Sequence, residues 1–121
     1  MTTERPYVLI TGVSTGIGFD ATRYLIERGY HVLGSVRKAA DAERMQKEFP
    51  SPFTPLLCYV TDGAAIATAV EQVGKLVGKR GLAALVNNSG ISGTAPLMHV
   101  PMADVRQMFD VNVFGLLQVT Q

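Results

Sequence analysis

Apolar residues in this chain recur with two different spacings. In Tyr7-Val8-Leu9-Ile10, His31 to Val36, Pro55 to Val60 and Leu82-Ala83-Ala84-Leu85-Val86 they form short, nearly continuous runs. Such runs predict strands of a parallel sheet covered on both faces. Between the runs the spacing becomes helical. Ala21, Tyr24, Leu25 and Ile26 lie opposite Arg23, Glu27 and Arg28, and Gly29 supplies a C-terminal stop. A second helix is predicted from Ala42 to Phe49, ended by Pro50-Ser51-Pro52. A third runs from Ala64 to Val77 with Asp62 near its start as a cap, and a last one from about Met102 to the end of the chain. The order β-α-β-α-β-α-β-loop-α implies an α/β fold with a doubly wound parallel sheet and right-handed crossovers.

Ligands of such sheets bind beyond the carboxyl ends of the strands. Gly12 to Gly18, Arg37, Asp62 and Asn87 to Gly90 all fall there. The first of these segments, Thr11-Gly12-Val13-Ser14-Thr15-Gly16-Ile17-Gly18, joins a strand to a helix. Glycines in such a turn let main-chain N–H groups approach phosphate oxygens at a helix N-terminus, and Gly18 lets helix and strand pack closely. A nucleotide pyrophosphate fits that chemistry.

About 20 residues beyond the glycine turn, at the end of the second strand, a dinucleotide site reads the adenosine ribose. That position is Arg37. A carboxylate would accept from the two ribose hydroxyls of NAD, whereas a guanidinium meets a 2′-phosphate with charge-assisted bonds, so NADP is the expected cofactor in preference to NAD. Lys38, Ser14 and Thr15 are candidate further donors to that phosphate. The competing reading makes Arg37 and Lys38 solvated charges opening a loop.

Composition narrows the remaining classes. The 121 residues are 47% hydrophobic, enough for the core of one domain spanning 1–121. Net charge is +1 with no basic block, so neither nucleic acid nor a membrane surface is an expected partner. The opening Met1-Thr2-Thr3-Glu4-Arg5-Pro6 is polar, and no apolar run approaches the ~18 residues that span a bilayer, which makes a cytoplasmic location the default. The single cysteine, Cys58, sits in an apolar run and reads as a buried, inert thiol.

Three motifs, in order, resemble the short-chain dehydrogenase/reductase family. Thr11 to Gly18 matches its Thr-Gly-x-x-x-Gly-x-Gly turn. Asn87-Asn88-Ser89-Gly90 matches its Asn-Asn-Ala-Gly with one small-residue change, and Asp110-Val111-Asn112 falls where the family carries the asparagine of its catalytic tetrad. The resemblance covers essentially the whole chain and implies a Rossmann-like sheet, truncated after the fourth strand and the following helix. It further implies an oxidoreductase that transfers hydride between NADP(H) and a small-molecule alcohol or carbonyl substrate. Similarity in the segments His31–Lys38 and Pro55–Asp62 extends to members acting on lipophilic substrates. In the family, the residue at Asn112 distorts its helix and helps hold a water of the proton relay; the competing reading is a mid-helix Asn paired with backbone. The resemblance further implies that the side-chain amides of Asn87 and Asn88 pin the fourth strand and the cofactor loop, that Asn88, Ser89 and Gly90 border the cofactor with Gly90 admitting it at close range, and that the main chain of Val60 contacts adenine. Members usually form homodimers or homotetramers.

Two departures stand out. Where the family has Asp before Val at the end of the third strand, accepting from the adenine amino group, this chain has Tyr59. Its hydroxyl could hydrogen-bond, its ring could lie against adenine, or it could be core. Family chemistry also needs a Tyr general acid/base with a Lys four residues later, whose charge favours tyrosinate, and a Ser that polarises the carbonyl. Tyr7, Tyr24, Tyr30 and Tyr59 are followed at that distance by Thr11, Arg28, Gly34 and Gly63. The chain is therefore expected to be the cofactor-binding part of a longer enzyme, inactive alone. A nucleotide-binding module without chemistry, or an interaction fragment that has lost cofactor binding, are the alternatives.

Overall fold

The computed structural model describes residues 4–121; Met1 to Thr3, part of the polar N-terminal stretch, lie outside the described residues. Four strands, β1 (Tyr7–Ile10), β2 (His31–Val36), β3 (Phe53–Leu57) and β4 (Ala84–Val86), form one parallel sheet in the order β3-β2-β1-β4. Helices α1 (Gly16–Glu27), α2 (Ala39–Glu48) and α3 (Gly63–Val77) make the crossovers. The architecture is the Rossmann-like α/β arrangement expected from the alternation of runs.

Strand pleating sorts the core into two layers. Val8, Ile10, Val32, Val36 and Phe53 face α1 and α2, where they pack with Met45, Phe49, Leu25 and Ile26. Leu9, Leu33 and Leu56 face the other way, against Val73 and Val77 of α3. Burial of each such side chain contributes about 1.5–3 kcal/mol against the cost of ordering the chain.

Three predicted boundaries move. The third strand runs from Phe53 to Leu57 rather than Pro55 to Val60, because it pairs with β2 from Val32↔Phe53 to Val36↔Leu57 and the ladder stops where β2 stops. β3 is an edge strand, which accommodates Pro55, and Leu57 is exposed rather than covered. The second helix begins at Ala39, three residues before the apolar pattern shows it, with extended Lys38 as its N-cap and the Lys38 carbonyl accepting from Asp41 and Ala42 N–H. Phe49 falls just beyond that helix and turns into the core. β4 starts at Ala84, although Ala83 N–H already donates to the Tyr7 carbonyl at 2.8 Å. Tyr24, placed by the spacing on the apolar side of the first helix, is exposed beneath the Arg28 guanidinium, 3.3 Å from its ring centroid.

The last helix is continuous but not uniform. Residues Met102–Phe109 form α4 and Leu116–Thr120 form α5; between them Asp110–Gly115 is π-helical and contains Asn112. No helix among the described residues is long and apolar enough to cross a membrane.

Candidate functional site

The loops after β1 and β4 are fastened together by side-chain bonds to main chain. Thr11, buried at the end of β1, accepts at Oγ1 from the N–H groups of Asn88 (3.0 Å) and Ser89 (2.9 Å). Asn88 Nδ2 returns two bonds, to the carbonyls of Thr11 (3.1 Å) and Gly12 (2.9 Å). The second strand joins them through Ser35, whose Oγ accepts from Gly12 N–H at 3.0 Å and whose carbonyl accepts from Val13 N–H at 3.1 Å. Gly18 is held in the same knot. A Cβ there would collide with the Gly12 carbonyl oxygen and come within 2.6 Å of Asn88 Nδ2. Gly16 opens α1 after a backbone turn with φ 61°, a conformation L side chains rarely adopt. From α2, Arg44 donates to the Ser14 carbonyl at 2.8 Å and steadies the outer part of the turn.

These loops surround a cleft of about 330 Å³ at the carboxyl end of the sheet. Gly12, Ser14 and Thr15 line it from the first loop, Arg37 from the second, and Tyr59 from the third; Asn88, Ser89 and Gly90 close the fourth side. Among the described residues Arg37 is the single charged residue in that lining, and it carries positive charge into the cleft. α1 begins at Gly16 without a side-chain cap and without an acidic residue in its first turn. Its leading N–H groups therefore lack intrahelical partners, and its dipole presents positive charge to an anion. The arrangement suits a phosphate-bearing ligand. Among the described residues no group of three or more His, Cys, Asp or Glu residues gathers that could hold a metal ion.

Cys58 lies in the wall of the cleft, buried. Burial, and secondarily the Asp62 carboxylate, push its thiol pKa up, so it contributes volume rather than a thiolate. Asp62 itself does not reach the cleft lining; it caps α3, accepting at Oδ1 from Ala65 N–H at 3.1 Å.

Other residues singled out from the sequence stand beside the cleft rather than in its lining. Ile17 is 81% exposed on α1, and Lys38 projects from the start of α2. Val60 is buried, its side chain beside Gly115 of the π-helical segment. Asn112 Oδ1 accepts from Ile91 N–H at 2.9 Å and its Nδ2 donates to the Ile91 carbonyl at 2.8 Å, so it holds the loop after β4 like a strand partner. Asn87 Nδ2 donates to Thr120 Oγ1 at 3.0 Å and ties the same loop to α5. Sequence reasoning missed Ser35, Val36, Cys58, Ile91 and Val111 in the lining. A lone serine inside an apolar strand was the available signal for the first; the others are set by the fold.

Comparison with known proteins follows the same outline. The profile of the short chain dehydrogenase family matches residues 6–121. The NADPH-dependent 3-dehydrocapnine reductase of Ornithobacterium rhinotracheale is 43% identical over 115 residues, covering 95% of this chain and 41% of that protein. Serine 3-dehydrogenase of Rhizobium radiobacter is 37% identical over 114 residues, covering 93% of this chain and 45% of its own length. Among solved structures, ElxO with NADP bound superposes with a TM-score of 0.87 at 27% identity, covering 97% of this chain and 48% of that one. The chain thus spans under half the length of each of these relatives.

Proposed function

The chain belongs to the short-chain dehydrogenase family, and from that premise we propose that it is the NADP-binding part of an oxidoreductase acting on a small-molecule alcohol or carbonyl compound. The observation that carries the cofactor assignment is Arg37, which directly follows β2 and is the one charged residue lining the cleft among the described residues. Two relatives support it: a reductase described as NADPH-dependent and a structural neighbour with NADP bound. When bound, NADP(H) supplies hydride exchange at its nicotinamide.

On this reading the chain's residues bind and orient. The start of α1 and the Gly12–Thr15 turn receive the pyrophosphate, Arg37 the 2′-phosphate with Lys38 nearby, and Ser89 and Gly90 the inner length of the cofactor. Asn88 fixes that loop and Asn112 fixes Ile91. The main chain at Val60 borders the adenine end, and Asn112 further contributes to the proton relay. Residues 1–121 act as one cofactor-binding domain. The pairing of Tyr with Lys four residues later is absent from these 121 residues, so proton transfer to substrate belongs to the part of the family's length that they do not span. Alone, the chain is expected to bind cofactor without turnover. Exposed Phe109, Val113, Phe114 and Leu117 on the Asn112-bearing helix support assembly through that helix as a homodimer or homotetramer. A lipophilic substrate and a cytoplasmic location complete the proposal.

Titrating NADP⁺ and NAD⁺ into the intact protein tests the core of it. NADP⁺ should bind more tightly, and Arg37→Asp should weaken NADP⁺ by about tenfold or more while changing NAD⁺ far less, since it removes a charge-assisted bond worth about 1.5–3 kcal/mol. Equal loss for both cofactors overturns the assignment. Turnover by the 121-residue chain with any carbonyl substrate would overturn the division of labour.

A further inference from the structure

We propose that Tyr59 is the positioning residue for Arg37, and that the ring of Tyr59 thereby sets the preference for a 2′-phosphorylated cofactor. The proposal rests on the NADP reading above. Arg37 and Tyr59 come from different loops, after β2 and after β3, and line the same cleft. The Arg37 Cζ lies 5.0 Å from the centroid of the Tyr59 ring, inside the ~6 Å reach of a cation–π contact. Among the described residues Arg37 has no ion pair and no side-chain hydrogen bond, so the ring is what restrains an otherwise exposed, many-rotamer side chain.

A ring at this position does what a carboxylate cannot. An Asp close enough to hold Arg37 would pair with it, occupy its N–H donors and offset the charge that a phosphate needs. An aromatic face attracts the guanidinium through its quadrupole and leaves the in-plane N–H groups free. The Tyr59 hydroxyl takes no part. It is buried and without a hydrogen-bond partner among the described residues, so the ring rather than the phenolic oxygen serves the cleft. The residue that departs from the family's pattern thus stands next to the residue that chooses the cofactor.

Isothermal titration of NADP⁺ and NAD⁺ into the intact protein and its Tyr59→Phe, Tyr59→Leu, Arg37→Ala and doubly substituted forms provides the test. Tyr59→Phe should keep the wild-type preference. Tyr59→Leu should weaken NADP⁺ by about three- to tenfold with NAD⁺ changed less than about twofold, the scale of one cation–π contact. In the Arg37→Ala background Tyr59→Leu should add nothing for NADP⁺. Should Tyr59→Leu fail to fold, judged by circular dichroism, Tyr59→Met takes its place. Equal weakening of both cofactors, an undiminished effect without Arg37, or unchanged NADP⁺ affinity in Tyr59→Leu while Arg37→Ala loses it, overturns the proposal and leaves the NADP reading standing. If Arg37→Ala itself leaves the NADP⁺ to NAD⁺ ratio unchanged, both fall.

Discussion

β2 and β4 are both strands of the same parallel sheet, yet they are held in opposite ways. β2 lies between β1 and β3, with every residue from Val32 to Val36 buried. β4 pairs with β1 alone, and none of Ala84, Leu85 and Val86 is fully buried. The helix that follows β4 is as open, with Phe109, Phe114 and Leu117 each at least 50% exposed. Apart from buried Val111, what fixes this flank is largely polar: Asn88 on Thr11 and Gly12, Asn87 on Thr120, Asn112 on Ile91. One side of the molecule is secured by apolar burial and the other by amides bonded to main chain and hydroxyl. The cleft lies on the seam between them, so its shape depends on both.

Core truncation should expose that contrast most strongly. Ile10 is fully buried between the sheet and α1, and Ile10→Ala should cost about 2–5 kcal/mol through lost transfer energy and a cavity. Leu117→Ala in the same chain should change stability by less than about 0.5 kcal/mol, because half of that side chain already meets water. Urea midpoints of the two variants measure the difference. Comparable losses would mean that the flank is packed as tightly as β2.

Asn88→Ala should act next most strongly, and differently. It removes both Nδ2 bonds and leaves the Thr11 and Gly12 carbonyls short of donors, for a loss of about 1–3 kcal/mol. Because those carbonyls belong to the glycine turn, affinity for NADP⁺ should fall with stability. Unchanged cofactor affinity in a folded Asn88→Ala protein would separate the turn from the flank and break the idea of a shared seam.

Asn112→Ala should be milder. It releases Ile91 N–H and carbonyl, which are exposed enough to exchange with water, so the cost is about 1 kcal/mol at most. Hydrogen exchange should show Ile91 losing protection while β1 and β2 amides keep theirs. A uniform loss across the sheet would make Asn112 a global support instead of a local clamp.

The division also explains what the sequence disclosed. Thr11 to Gly18 was legible because turn chemistry is local and glycine is its own signal, and the buried strands showed as apolar runs for the same reason. Arg37 was placed by distance along the chain from that turn. That the Asn87 and Asn88 amides pin the loop after β4 followed from the motif resemblance, and the structure shows them doing so, but their partners were not legible, since Asn88 and Thr11 lie 77 positions apart and an Asn does not advertise its partner. The end of β3 was missed because the ladder with β2, not the apolar run, terminates it. No residue pattern marked the π-helical stretch around Asn112; the motif resemblance implied a distorted helix, and the backbone supplies its form. Tyr59 was visible as a departure, but only its distance from Arg37 distinguishes a ring that holds a cation from one that fills core.

The smallest effect belongs to pH and falls on the apolar side. His31 opens β2, meets the Tyr7 ring at a 48° tilt with centroids 4.9 Å apart, and places Nε2 2.8 Å from Thr54 Oγ1. Burial first, and the Arg5 charge second, hold its imidazole pKa below the ordinary 6.5. The folded chain therefore prefers neutral His31, while the unfolded chain takes up a proton near 6.5. Its contribution is full above that pH and is lost as the pH drops below it toward the folded-state value. Melting temperature measured from pH 7.5 down to pH 5.5 should decline, and His31→Gln should flatten that decline while Asn88→Ala leaves its slope unchanged. A slope that survives His31→Gln would place the titrating group elsewhere than at this contact.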